Sequence, residues 1–168
     1  MQPVDSVPTA FTRHDHNGCC GGVLDTADRL ARDEGLRLTP VRRRVLEILL
    51  EHHRAMGAYD LLERLGQEGF GTQPPVAYRA LEFLVDSGFA HRIRRLNAFV
   101  ACHHPNERHS PTFFICTRCN AVAEASDHTI SSALDASALQ IGFHIDRMNI
   151  EVAGICPNCH EVDKDEPD

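Results

Sequence analysis

Apolar positions recur at helical spacing in four stretches between Val23 and Val85. From Val23 the stripe is Leu24, Ala27, Leu30 and Ala31, and Gly35 ends it. Thr39-Pro40 supplies an N-cap followed by proline at the first helical position. The helix carrying Val41, Val45, Ile48 and Leu49 is expected to start there and to reach His52-His53. A third stripe, with Leu61, Leu62 and Leu65, begins at about Ala58. Pro74-Pro75 opens a fourth helix with Ala77, Leu81, Leu84 and Val85 facing inward, and Ser87-Gly88 stops it. The period then changes. Residues 89–94 and 97–102 read as two strands joined at Arg95-Leu96. Helices followed by a hairpin describe a winged helix-turn-helix.

A polar, proline-broken linker over residues 103–111 precedes a second pattern. Residues 112–116 and 121–124 read as strands, Ser126/Asp127 caps a helix to about Gln140, and residues 143–155 read as one further strand. The expected organisation is a flexible tail (1–22), a winged-helix domain (23–102), a hinge (103–111), a small α+β domain (112–160) and an acidic tail (161–168). The fold class is α+β.

Composition narrows the function. Only 6% of the 168 residues are aromatic and Trp is absent, so two small domains of this kind would benefit from a metal staple. No apolar run reaches membrane-spanning length and residues 1–22 lack the apolar core of a signal peptide, so a cytoplasmic location is expected. Seven cysteines, an odd number, then favour metal ligation over disulfides. The net charge of −7 looks unsuited to nucleic acid, yet it is unevenly spread. Residues 1–24 hold one Arg and two Asp, residues 25–102 twelve Arg against eleven acids, and residues 103–168 four basic residues against eleven acids. Every cation of the middle segment is arginine, the better reader of phosphate and guanine.

Two CxxC pairs, Cys116/Cys119 and Cys156/Cys159, are separated by 36 residues. Such knuckles each present two thiolates to one side and together fit a closed, tetrahedral, structural Cys₄ zinc. A redox pair would stand singly beside a βαβ unit, and none is visible in the pattern. A second set is mixed: His91, Cys102, His109 and Glu124. Hairpin parity sets His91 opposite Val100 and Cys102 diagonally beside His91 on the same face. One ion held by all four would draw wing, linker and second domain together, and a Cys/His₂/Glu set suits zinc better than manganese or iron. The residues alone leave open a strand histidine, a buried cysteine, a linker histidine and a surface carboxylate with no common role.

The segments Arg37-Leu38-Thr39-Pro40-Val41-Arg42, Ala58-Tyr59-Asp60-Leu61-Leu62 and Pro74-Pro75-Val76-Ala77-Tyr78-Arg79-Ala80-Leu81, followed by the two CxxC knuckles, stand in the order found in the ferric uptake regulator family. The chain resembles that family over roughly residues 25–160, and Cys102 and Glu124 resemble its zinc-responsive branch. There a wing His, a Cys ending the wing, a linker His and a Glu after the first CxxC form the regulatory site. The resemblance implies a homodimer built on the second domain, winged helices reading operator DNA, about two Zn²⁺ per chain, and repression of zinc-acquisition genes by the zinc-loaded form. Two departures stand out. Val76 occupies a position that is usually Thr, and Met148 lies near the region where some relatives place a His of a third metal site. His103, His104 and His144 keep a third site open.

On a recognition helix opened by Pro74-Pro75, the exposed candidates for DNA are Tyr78 and Arg79, with Glu82 behind. Arg42, Arg43 and Arg44 divide between backbone contacts and a solvated helix face, and Arg92, Arg94 and Arg95 give the wing a basic edge. Arg79 divides between DNA and a pair with Glu82 or Glu63. His14, His16, Cys19 and Cys20 read as incidental ligands in a tail. A zinc deaminase would need H-x-E ahead of P-C-x-x-C, and neither is present. The remaining alternatives are an iron, manganese or peroxide sensor of the same family, and a structural zinc protein that binds no DNA.

Overall fold

The computed structural model describes residue 11 and residues 16–51, 54–105, 110–125 and 128–162. The chain divides into two compact units, Arg13–Glu107 and Arg108–Asp168. His52, His53, His109, Ser126 and Asp127 lie outside the described residues, as do the side chains of Cys19 and Cys20.

The first unit consists of α1 (His16–Asp33), α2 (Pro40–Leu50), α3 (Ala58–Gln67), α4 (Pro74–Asp86), β1 (Ala90–Ile93) and β2 (Ala98–Ala101). Thr39 caps α2 through its hydroxyl, which accepts from the Arg42 N–H at 3.4 Å, and Pro40 follows as expected. Gly35 and Gly88 end α1 and α4 with positive φ. The residue after each glycine donates back into the last turn, Leu36 to the Ala31 carbonyl at 2.7 Å and Phe89 to the Leu84 carbonyl at 2.8 Å. Leu46, Ile48, Leu61, Leu65, Leu81, Leu84 and Phe89 are fully buried among the helices and against the hairpin. Removing such side chains from water is the dominant stabilising term, at about 1.5–3 kcal/mol each.

The first helix begins at His16 and not at Val23, so part of the expected tail is helical. The buried stripe does start with Val23, Ala27 and Ala31. Gly21 and Gly22, where an added Cβ would meet nothing within 4 Å, mark the place where packing ends although the helical backbone continues. Packing and not propensity carries the periodic signal.

Ion pairs tie the helices together on their outer side. Arg43 bonds Asp28 of α1 and Glu47, and Arg44 meets Glu47 at 3.0 Å and Glu51 at 3.2 Å. The Arg44 Nη2 that meets Glu51 also reaches Glu68 at 2.8 Å, and Arg64 reaches Glu51 at 2.7 Å. Arg43 and Arg44 are therefore engaged within the unit. Their guanidinium pKa values rise, first because of hydrogen bonds to Asp28 and Glu68 respectively.

The second unit consists of β3 (Thr112–Cys116), β4 (Val122–Ala125), α5 (His128–Gln140), β5 (Ile150–Gly154) and α6 (Pro157–Val162). The sheet order is β4-β3-β5, with β3 antiparallel to β4 and parallel to β5. The pattern does contain a parallel crossover, through β4 and α5, where the sequence showed none. β5 is confined to five residues instead of spanning residues 143–155, because only that stretch lies alongside the five residues of β3. The short α6 lies inside the expected second knuckle. Its core is small, chiefly Phe113, Ile115, Val122 and Ala123.

Candidate functional site

The parallel register of β3 and β5 pairs Cys116 with Gly154, the last residue of each strand. Two strands leaving the sheet at the same end deliver their following turns side by side. After β3 the chain turns through Thr117 to Asn120, where Asn120 adopts a positive φ and donates its N–H to the Cys116 carbonyl at 3.0 Å. That turn carries Cys119. After β5 come Cys156 and then α6, which carries Cys159 and starts on Pro157. Thr117 N–H donates to the Gly154 carbonyl at 2.8 Å and locks the two exits together.

All four sulfurs lie within 4.8 Å of one another. The Cys119 and Cys156 sulfurs are 3.8 Å apart. A tetrahedral zinc with Zn–S of about 2.3 Å sets its sulfurs about 3.8 Å apart, so the donor set fits structural zinc and leaves no open position. The backbone prepares the first thiolate. Burial alone raises the Cys116 thiol, but N–H groups of Cys119, Cys156 and Arg118 outweigh it and bring it down to about 6. One of these, the Cys156 N–H, points at the Cys116 sulfur from 3.4 Å. Burial raises Cys119, and hydrogen bonding to Cys156 and Cys119 pushes Cys159 up to about 12.

The mixed set is placed element by element. His91 lies on β1, opposite Val100, and the Cys102 N–H extends the ladder to the Phe89 carbonyl at 2.9 Å. His91 and Cys102 therefore share one face of the hairpin, as parity required, and Cys102 is fully buried. Glu124 belongs to β4 of the second unit, opposite Phe113. His109 lies outside the described residues.

Among the DNA candidates, Tyr78 is 42% exposed on α4, and Arg79 beside it is exposed. Among the described residues Arg79 forms no ion pair; neither Glu82 nor Glu63 engages it. Arg42 stacks its guanidinium over the Phe83 ring, 3.7 Å from the centroid, and donates to the Arg37 carbonyl at 2.7 Å. Arg92 donates to Asn97 at 2.9 Å across the wing turn, where Asn97 has positive φ. Arg94 and Arg95 are exposed in that turn. Arg42 and Arg79 also line one shallow cleft of about 230 Å³ between the starts of α2 and α4, together with Thr39 and Val76. One residue was missed. Tyr59, at the second position of α3 and 71% exposed, borders the same cavity as Tyr78. Its signal was an aromatic set outside the apolar stripe of its helix.

Four helices and a wing, followed by a small sheet closed by a four-cysteine centre, define a winged-helix protein with a separate metal-knuckle domain. The chain belongs to the ferric uptake regulator family, which residues 33–153 match. It is 35% identical over 142 residues to the zinc uptake regulation protein of Escherichia coli (strain K12), covering 84% of this chain and 83% of that protein. A zinc uptake regulator solved with zinc and DNA superposes with a TM-score of 0.81 at 34% identity, over 86% of this chain and 97% of the other. Holo XcZur superposes with a TM-score of 0.76 at 39% identity, over 83% and 98%.

Proposed function

We propose that this chain is a zinc-responsive transcriptional repressor that binds operator DNA as a zinc-loaded homodimer and controls zinc-acquisition genes. The observation that carries the reading is the presence of both a four-cysteine centre and a winged helix in a chain 35% identical to a zinc uptake regulation protein. Two zinc ions per chain are proposed. Cys116, Cys119, Cys156 and Cys159 hold the structural one, and His91, Cys102, His109 and Glu124 the regulatory one. Zinc at the second set would supply a divalent link between wing and second domain. His91 and Cys102 on one hairpin face support that assignment, and the Cys102 thiolate favours zinc over the iron or manganese of an alternative sensor.

Tyr78 and Arg79 are proposed to reach base edges, with Arg42, Arg92, Arg94 and Arg95 holding backbone. The Arg42/Arg79 cleft supports a phosphate seat, and Tyr59 joins Tyr78 on the same face. Arg43 and Arg44 are left out because carboxylates already hold them. The second copy is proposed to dock on the second unit. Leu139 and Ile141 there are 81% and 79% exposed, and β5 is an edge strand. The test is operator titration with zinc, iron(II), manganese(II) or a chelator, with subunit mass measured in parallel. Zinc-dependent binding by a dimer is expected. Binding driven by iron or manganese but not zinc would select the alternative.

A further inference from the structure

A cavity of about 520 Å³ opens between the start of α3, the exposed side of α4 and the wing. Its size falls in the range of small-molecule sites. Three aromatic residues border it: Tyr59 and Tyr78, which are 71% and 42% exposed, and the largely buried Phe99. Leu81 and Val85 add apolar wall. Three carboxylates, Asp60, Glu82 and Asp86, also line it. All three are exposed, and among the described residues none of them has an ion pair. Arg92 is the single cation of the lining, and it is turned to Asn97 and over the Phe99 ring at 6.0 Å.

Uncompensated carboxylates beside aromatic faces are the recognition chemistry of an organic cation. The charge meets carboxylate and ring quadrupole together, and the ring of the ligand replaces water on the apolar wall. A bare metal ion is the poorer occupant, since the three carboxylates do not converge as one ligand set.

We propose that this cavity binds a small aromatic cation, of the amidinium or quaternary ammonium class, and that the bound cation and operator DNA exclude one another. The exclusion rests on the function proposed above, since the ligand would cover Tyr59 and Tyr78. Such a site would let a cationic metabolite lift repression while zinc stays bound.

The test uses the full zinc-loaded chain and benzamidinium as probe, with neutral benzamide as its isostere. Calorimetric titration should give one saturable site per chain for benzamidinium, with benzamide weaker by about tenfold or more. Glu82→Gln and Asp86→Asn should each weaken the probe several-fold while zinc content and thermal unfolding stay at wild-type values. Saturating probe should raise the apparent Kd for operator, and saturating benzamide should not. Equal affinity for the two probes, or unchanged affinity in both carboxamide variants, overturns the site. Probe binding without competition overturns the exclusion. Zinc-dependent operator binding measured without probe reports on the repressor reading alone, so the two failures are distinguishable.

Discussion

Arg42 lays its guanidinium over the Phe83 ring at 3.7 Å, and this contact pins the first turn of α2 to α4. An arginine read from the sequence as a backbone contact thus also holds the recognition helix in place. Arg42→Ala is expected to cost about 0.5–1 kcal/mol of stability from the lost stack. It should also weaken operator binding and flatten its salt dependence. Phe83→Leu separates the effects: stability falls while the salt slope stays. Denaturant titration and operator binding at several salt concentrations read both.

Arg79→Ala should weaken operator binding by about 1–3 kcal/mol of discrimination, leaving zinc content and dimerisation at wild-type levels. Arg79 has no competing ion pair among the described residues, so its loss should disturb no internal network. Binding of wild-type strength at matched salt would remove α4 from the recognition role.

The Arg44 network predicts a pH dependence. The hydrogen bond from Arg44 holds the Glu68 carboxyl below the ordinary carboxylate range. A depressed folded-state pKa contributes stability above the unfolded value and loses it as pH falls through the folded one. Arg44→Met should therefore lower Tm near neutrality and converge on wild type in acid. The pair is solvent-screened, so the difference should also shrink in high salt. A Tm gap independent of pH would mean that Arg44 acts through its packed stem instead.

Cys116→Ser should remove about one zinc per chain and unfold or monomerise the second unit, while α1 to α4 keep their helical signal. Acid should release the same zinc from wild type, because protons compete for the four sulfurs. Metal analysis after gel filtration across pH 4–8 checks both.

Legibility in the sequence followed packing. The Thr39-Pro40 and Pro74-Pro75 starts, the Gly35 and Gly88 stops and the His91/Val100 register each rest on local chemistry that a single residue type announces. The four cysteines were readable because ligand spacing is covalent fact. The start of α1 was not readable, since Gly21 and Gly22 interrupt the apolar stripe without ending the helix. The true length of β5 depends on β3, its partner far away in the chain, and α6 is too short to carry a stripe. Tyr59 escaped because exposure is a property of the fold, and the full engagement of Arg43 and Arg44 because Asp28 and Glu68 lie outside α2 and far off along the chain.

The central claim is that zinc at His91, Cys102, His109 and Glu124 switches DNA binding on. Apo chains with a polar linker would sample many relative domain orientations, and only some set two recognition helices one DNA turn apart. Ligands drawn from both sides of the linker would select among them, and the differential affinity is the coupling energy. Reciprocally, operator should tighten zinc at this set. The direct measurement is operator titration of Cys102→Ser with and without added zinc, after metal analysis and gel filtration confirm one retained zinc per chain and an intact dimer. The account predicts that operator binding by this variant no longer rises with zinc and stays at the weak level of the chelated wild type. Zinc-independent binding of wild-type strength would contradict it.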